Sequence, residues 1–320
     1  MKKTSGRTIA ILLLNILLLF VDLPVKGNQI SIHDTLIVDT IHNNTTRLKI
    51  LSWNIGMLPF LDMFKEKDER AQAIGNAIRG KDYDIIVFQE AFTFYARNVI
   101  GKTLHEQYPY AYGPVNKFLF SLKVNSGIWI LSKIPLKIRK EIEFTVSAGM
   151  DGFARKGAVL LEGWFYGAPF QLIATHLQDD AYPQIMRNQQ LSEIHEKLII
   201  PYSETDTPQI ICGDFNTDKK VADDYKGMLT ILDAEDSEIS GKMKITFDDE
   251  SNDVFKSPHP DPRRLDYVLT RNSHLIQWIN QKVAVLKSKW GKNKEYLSDH
   301  NGLEAYIEFK SVDYLTKVFK

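Results

Sequence analysis

The stretch Gln209-Ile210-Ile211-Cys212-Gly213-Asp214-Phe215-Asn216 runs apolar, breaks at a glycine and then presents two small polar side chains. On an extended backbone residues i and i+2 project to the same side. The Asp214 carboxylate and the Asn216 amide can therefore meet one ligand where a strand ends, which is where open α/β sheets keep their sites. Alone, the stretch reads equally well as a strand running into a turn, because Gly, Asp and Asn are turn formers. Four other stretches decide between the two: Leu48-Lys-Ile-Leu-Ser-Trp-Asn54, Asp84-Ile-Ile-Val-Phe-Gln-Glu90, Phe170-Gln-Leu-Ile-Ala-Thr-His176 and Leu297-Ser-Asp-His300. Core packing gives no reason for apolar runs to end repeatedly in groups that handle protons or cations.

Outward from these runs, the first 27 residues carry a targeting pattern. Lys2, Lys3 and Arg7 precede an apolar run from Ile9 to Val21, and Val25-Lys-Gly27 offers a small-residue cleavage point. The run is too short to cross a bilayer core of about 30 Å as a helix, so a cleaved signal peptide is expected and an uncleaved anchor is the alternative. Residues 28–47 read as a polar tether and include two overlapping glycosylation acceptors at Asn43 and Asn44. The single cysteine, Cys212, excludes an intramolecular disulfide and a lipid-modified cysteine at the cleavage point.

The 320 residues contain 40 basic and 40 acidic side chains with 44% hydrophobic content, a composition able to bury a full core. Cleavage after Gly27 removes four basic residues (Lys2, Lys3, Arg7, Lys26) and one acidic residue (Asp22), which leaves a weakly acidic chain. That balance weighs against binding dominated by nucleic-acid phosphates.

Buried strands are expected at Leu48–Trp53 and Asp84–Phe88, with helices at Glu69–Arg79 and Thr93–Gln107. Short strands follow at Gly127–Leu131, Ile138–Phe144, Gly157–Trp164 and Phe170–Thr175, joined most simply as hairpins. Tyr182–Ile200 reads as a helix with Pro183 in its first turn and Ile185, Leu191, Ile194 and Leu198 on one face. Strand Gln209–Cys212, a helix from Lys219 to Leu232, and strands at Leu265–Thr270, Val283–Leu286 and Leu303–Phe309 complete the chain. Without repeats or a Pro/Gly/Ser linker, one domain over 48–320 is expected. Its architecture would be an α/β four-layer sandwich, two mixed β-sheets packed face to face with helices on the outer faces.

The polar strand ends supply Asn54, Glu90, His176, Asp214, Asn216, Asp299 and His300. Mg²⁺ prefers hard oxygen ligands, commonly one or two carboxylates with water and a substrate phosphate. Glu90 suits that role, and a hydrogen-bonded strand-end residue is the plainer alternative. His300 has the pKa of a general base, with Asp266 in Arg264-Leu-Asp-Tyr-Val268 available to orient it. His33, His42, His105, His195, His259 and His274 read as solvated surface residues.

Five motifs in this order resemble the exonuclease–endonuclease–phosphatase superfamily: Trp53-Asn54, Gln89-Glu90, Gly213-Asp214-Phe215-Asn216, Leu265-Asp266-Tyr267 and Ser298-Asp299-His300. Within it the chain is similar to the secreted bacterial neutral sphingomyelinases. Tyr108-Pro-Tyr110, Ser126-Gly-Ile-Trp-Ile-Leu-Ser-Lys133, Gly149-Met-Asp-Gly-Phe-Ala-Arg-Lys-Gly157 and Ala174-Thr-His-Leu-Gln-Asp179 carry that likeness. The resemblance implies Mg²⁺, one ion or two, held by Glu90 with Asn54 and Asp299. It further implies His300 as the base, Asp266 as its orienter, and Asp214, Asn216, Asn54 and His176 around the phosphate and its attacking water. Asp151 and Lys156 would engage substrate; the alternative is a surface ion pair across a glycine-flanked turn.

Family members that attack membranes often carry an aromatic hairpin tip before Ser-Asp-His, whereas Lys287-Ser-Lys-Trp290-Gly-Lys-Asn-Lys294 has one tryptophan among four lysines. Partly electrostatic membrane engagement is therefore expected. The implied protein is an exported, monomeric phosphodiesterase acting on a phospholipid at a membrane surface, with no nucleic-acid or protein partner. A nuclease or inositol-phosphate phosphatase is the alternative on the same scaffold, and a non-enzymatic lipid-binding protein is the alternative from another class. Phe92, Phe94 and Tyr95 are available to a quaternary ammonium and equally to the core.

Overall fold

The computed structural model describes residues 47–58, 66–118 and 123–310, so the expected signal peptide and nearly all of the expected tether lie outside the described residues. The apolar runs form strands β1 (Arg47–Met57), β2 (Ile85–Ala91), β3 (Tyr110–Tyr112), β4 (Trp129–Ser132), β5 (Leu136–Glu143), β6 (Gly157–Phe165), β7 (Ala168–His176) and β8 (Gln209–Asp214). They continue as β9 (Glu235–Asp236), β10 (Ile239–Ser240), β11 (Asp266–Arg271), β12 (Ile276–Ala284), β13 (Lys287–Trp290), β14 (Lys294–Tyr296) and β15 (Gly302–Phe309). The helices are α1 (Glu66–Ile78), α2 (Phe94–Leu104), α3 (Gln184–Ile194) and α4 (Ala222–Leu232).

A seven-stranded sheet has the order β10-β12-β15-β1-β2-β4-β3, and a six-stranded sheet the order β5-β6-β7-β8-β11-β9. Both are mixed, with β1 parallel to β2 and β7 parallel to β8 among otherwise mostly antiparallel pairs. Adjacent apolar residues on one strand serve opposite layers, as the period of two requires. Ile50, Ile85 and Ile210 pack between the sheets; Leu51 and Ile86 pack with Ile74 of α1 and Ile100 of α2; Ile211 packs with Leu191 of α3 and Met228 of α4. Strands buried on both faces have no polar face to alternate with, hence their nearly unbroken apolar runs. The four-layer sandwich expected from sequence is the fold observed.

Details differ. Strand β4 does not join β5 in a hairpin; it pairs with β2 and β3, and the chain changes sheets between them. The long helix ends at Ile194 and passes through a π-turn, His195–Ile199, before a short 3₁₀ turn. Ile185 is exposed rather than part of the buried face, and Pro183 caps the helix instead of occupying its first turn. Strand β12 begins at Ile276, earlier than expected, because an irregular register with β15 hides its alternation. The lysine-rich stretch forms the β13–β14 hairpin, but its Trp290 is buried and donates its indole N–H to the Tyr296 carbonyl at 2.6 Å. The Lys287 and Lys294 ammonium groups lie over the Tyr296 and Trp290 rings.

Candidate active site

Three neighbouring strands place three site residues in one row. His176, the last residue of β7, pairs with Asp214, the last of β8, which in turn pairs with Asp266 at the start of β11. The close approach needs Gly213, whose φ is +149° and where a Cβ would lie 1.9 Å from the Thr175 carbonyl oxygen. The other sheet brings Asn54 beside Gln89, with Glu90 next in line. Glu90 and Asn216 both adopt positive φ, 54° and 48°. Asn tolerates that region, whereas for Glu it is uncommon and aims the carboxylate away from the strand direction.

Asn54 bridges the sheets. Its amide nitrogen donates to Glu90 Oε1 at 3.1 Å and to Asp214 Oδ2 at 3.0 Å. Its amide oxygen accepts from the Gly56 N–H at 3.0 Å, and the second lone pair of that oxygen is left for one further partner, such as a cation. Asn54 is thus a donor shared by two carboxylates that also keeps an acceptor. Burial and then the Asp299 charge push Glu90 up to about 7, and burial and then Asp266 push Asp214 up to about 7.

His300 Nδ1 lies 2.8 Å from Asp266 Oδ2, and its Nε2 lies 3.7 Å from Asp214 Oδ2. Burial alone would lower its pKa, but Asp266 and Asp214, with Asp299, raise it well above the ordinary 6.5. Asp214, Asp266 and His300 bring ligand-type atoms within 4.8 Å of one another. Because Nδ1 is committed to Asp266, this trio is a His–Asp pair facing a second carboxylate rather than a metal cradle. The donor set that fits a hard cation is Glu90 with the half-buried Asp299. Glu90 is half-buried, and desolvation and then the Asp299 charge raise it, the condition a divalent ion relieves.

On the far side, Lys156 is only 3% exposed. Its ammonium meets Asp151 Oδ2 at 2.8 Å, the Leu177 carbonyl at 2.7 Å and His176 Nε2 at 3.1 Å. This is a buried cation with three acceptors, not a surface ion pair. Asn216 Nδ2 stands 3.4 Å from the same His176 nitrogen. Burial, then Lys156 and His300, hold His176 well below 6.5, so it is neutral with Nε2 accepting. Asp151 also accepts from the Asp179 N–H at 2.8 Å.

Residues outside the sequence reading complete the site. Arg70, buried on α1, donates to the Ile55, Leu297 and Gly56 carbonyls at 2.8, 2.9 and 2.7 Å. Thr246 Oγ1 accepts from the Leu265 and Asp266 N–H groups, and the Phe247 ring lies 5.2 Å from that of His300. Nothing in the local sequence marks these residues. The motifs are tied directly too: the Trp53 indole donates to the His300 carbonyl at 2.9 Å, and the Ser298 hydroxyl to the Asn54 carbonyl at 2.7 Å.

A mixed-sheet sandwich with a buried His–Asp pair and clustered carboxylates at its strand ends is the arrangement of a metal-assisted phosphoester hydrolase. The chain belongs to the Endonuclease/Exonuclease/phosphatase family, which it matches over residues 51–300. Among its relatives, it is similar to Sphingomyelinase C 2 of Leptospira interrogans, 29% identical over 83% of this chain and 47% of that protein. It is also similar to a Phospholipase C of Staphylococcus aureus, 27% identical over 82% of this chain and 87% of that protein. The chain thus spans about half the length of the Leptospira relative and most of the staphylococcal one. Among solved structures, beta toxin from Staphylococcus aureus with bound magnesium ions aligns with a TM-score of 0.73 at 26% identity, covering 82% of this chain and 99% of that one. Sphingomyelinase C from Streptomyces griseocarneus aligns with a TM-score of 0.72 at 25% identity, covering 82% and 99%.

Proposed function

We propose that this chain is an exported, monomeric, Mg²⁺-dependent phosphodiesterase, a single catalytic domain over 48–320, that hydrolyses sphingomyelin to ceramide and phosphocholine. The observation that carries it is the buried His300–Asp266 pair facing a carboxylate cluster, with the Asp151–Lys156 pair folded against His176. Similarity to sphingomyelinases supports the substrate class.

Asp266 accepts the Nδ1 proton of His300 and so leaves Nε2 as the basic nitrogen. In its neutral form His300 takes a proton from water, and Asp214, 3.7 Å from Nε2, is placed to orient that water. The hydroxide oxygen bonds to phosphorus as the bond from phosphorus to the ceramide oxygen breaks, and that oxygen leaves and takes a proton from bulk water. Asn54 holds Glu90 and Asp214, and Lys156 with Asn216 holds His176, in fixed positions beside the reacting phosphate, so the polar groups around it are set before the reaction begins. Bound at Glu90 and Asp299, Mg²⁺ supplies charge neutralisation for the phosphate and the leaving oxygen.

The test is turnover of sphingomyelin, phosphatidylcholine and plasmid DNA by the chain lacking residues 1–27, with Mg²⁺ or with excess chelator. Mg²⁺-dependent release of phosphocholine from sphingomyelin, with DNA intact, is expected. Cleavage of DNA in preference to lipid overturns the reading in favour of a nuclease, and turnover of no substrate favours a lipid-binding protein.

A further inference from the structure

The mouth of the site carries large apolar side chains that the interior does not use. Met150 and Phe153, on the 3₁₀ turn Gly149–Phe153, are 71% and 60% exposed and flank Asp151, the partner of buried Lys156. Phe255 is 49% exposed, and its ring lies 6.3 Å from that of Phe247, which contacts His300. Phe94, 54% exposed, opens α2 four residues after Glu90. Single exposed apolar residues are ordinary. These four come from three separate segments, and each segment is joined by contact or by a short length of chain to a different site residue.

We propose that this rim docks the protein on an uncharged, zwitterionic phospholipid bilayer, with Met150 and Phe153 as the leading contacts. The inference rests on the phosphodiesterase reading, since a lipid's scissile bond lies at the bilayer surface and an apolar rim around the site brings the two together. The lysine hairpin is the competing surface. Its tryptophan is buried under α1, and two of its lysines are occupied over aromatic rings, which leaves it without an exposed apolar anchor. Insertion of rim side chains also suits a surface with no net charge, which lysines alone do not hold.

The experiment compares Met150→Asp/Phe153→Asp and Phe255→Asp with the unsubstituted chain. The control is Tyr166→Asp: Tyr166 is 80% exposed at the β6–β7 turn, roughly 25 Å along the strands from the His176 end. Three readouts are taken: co-sedimentation with phosphatidylcholine/sphingomyelin vesicles in excess chelator, hydrolysis of vesicle sphingomyelin, and hydrolysis of soluble bis(4-nitrophenyl) phosphate. Each rim variant is expected to lose at least ~10-fold in vesicle binding and correspondingly in vesicle hydrolysis. Turnover of the soluble diester is expected to stay within about twofold, with Tyr166→Asp unchanged throughout. Rim variants that bind vesicles like the unsubstituted chain overturn the proposal. So does binding that requires anionic lipid and disappears with salt, or an equal loss on the soluble diester. Failure of the unsubstituted chain to hydrolyse sphingomyelin removes the substrate assignment, and the sedimentation comparison then decides the docking surface by itself.

Discussion

The Lys156 ammonium lies 3.1 Å from His176 Nε2 and shares its remaining donors between Asp151 and the Leu177 carbonyl. A segment expected only to place the substrate is thereby fastened to the row of catalytic strand ends. Lys156→Met leaves Asp151 without its cation and removes a donor that holds His176 Nε2 in place. The expected outcome is a loss of ~10²-fold, the scale of small positioning errors, on both sphingomyelin and a small activated diester. Sphingomyelin turnover falling alone returns Lys156 to a purely substrate-placing role.

His300→Ala is expected to lose the ~10²–10⁴-fold typical of general base catalysis, with Asp266→Asn losing less. Circular dichroism and melting temperature check that both variants fold. A folded His300→Ala protein that keeps more than about a tenth of the activity removes His300 as the base.

Proton binding and cation binding compete at Glu90, and Asp214 holds a proton over the same range. Folding raises the two carboxyls from 4.5 and 3.8 to about 7. Between those values the ion-free folded chain holds protons that the unfolded chain has released, so its stability falls as pH rises from about 4 to 7. Mg²⁺ needs the ionised forms, so its apparent affinity rises over the same window and its binding releases protons. Thermal melts from pH 5 to 8, with Mg²⁺ and with chelator, should diverge as pH rises. Glu90→Gln should flatten the chelator curve and raise the Mg²⁺ requirement for turnover. Melting curves that do not separate with pH remove the cation from Glu90.

Strands that bury both faces announced themselves through unbroken apolar runs, and their polar ends pointed to Glu90, His176 and Asp214. Elements stabilised by distant partners stayed hidden. Strand β3 is three residues long and exists because β4 supplies its pairing. Strand β4 looked like the start of a hairpin because local texture carries no record of which sheet a strand joins. Asn54 was legible as a site residue, yet its donation to both Glu90 and Asp214 depends on how the two sheets bring those carboxylates together. The surface-pair alternative for Lys156 stayed open in the sequence because the burial of that side chain comes from β7 and the segment after it, more than fifteen residues further along the chain.

Arg70 is the least legible of the site's supports, and it makes the sharpest structural prediction. Its guanidinium joins the turn after Asn54, through the Ile55 and Gly56 carbonyls, to the Leu297 carbonyl just before Ser298-Asp299-His300. It thereby fixes the separation of two segments, one carrying Asn54 and the other Asp299 and His300. A planar fork reaches several carbonyls at once, whereas an ammonium on a flexible stem does not reproduce that geometry. Arg70→Met strands buried carbonyls and should cost about 3 kcal/mol or more, enough to endanger folding, so Arg70→Lys is the informative variant. It keeps the charge and is expected to fold with a lowered melting temperature. It should also need more Mg²⁺ for half-maximal turnover, because Asp299 is no longer held in place relative to Glu90. A Lys variant less stable than the unsubstituted chain, but unchanged in its Mg²⁺ requirement and its pH profile, would confine Arg70 to stability and separate the clamp from the chemistry.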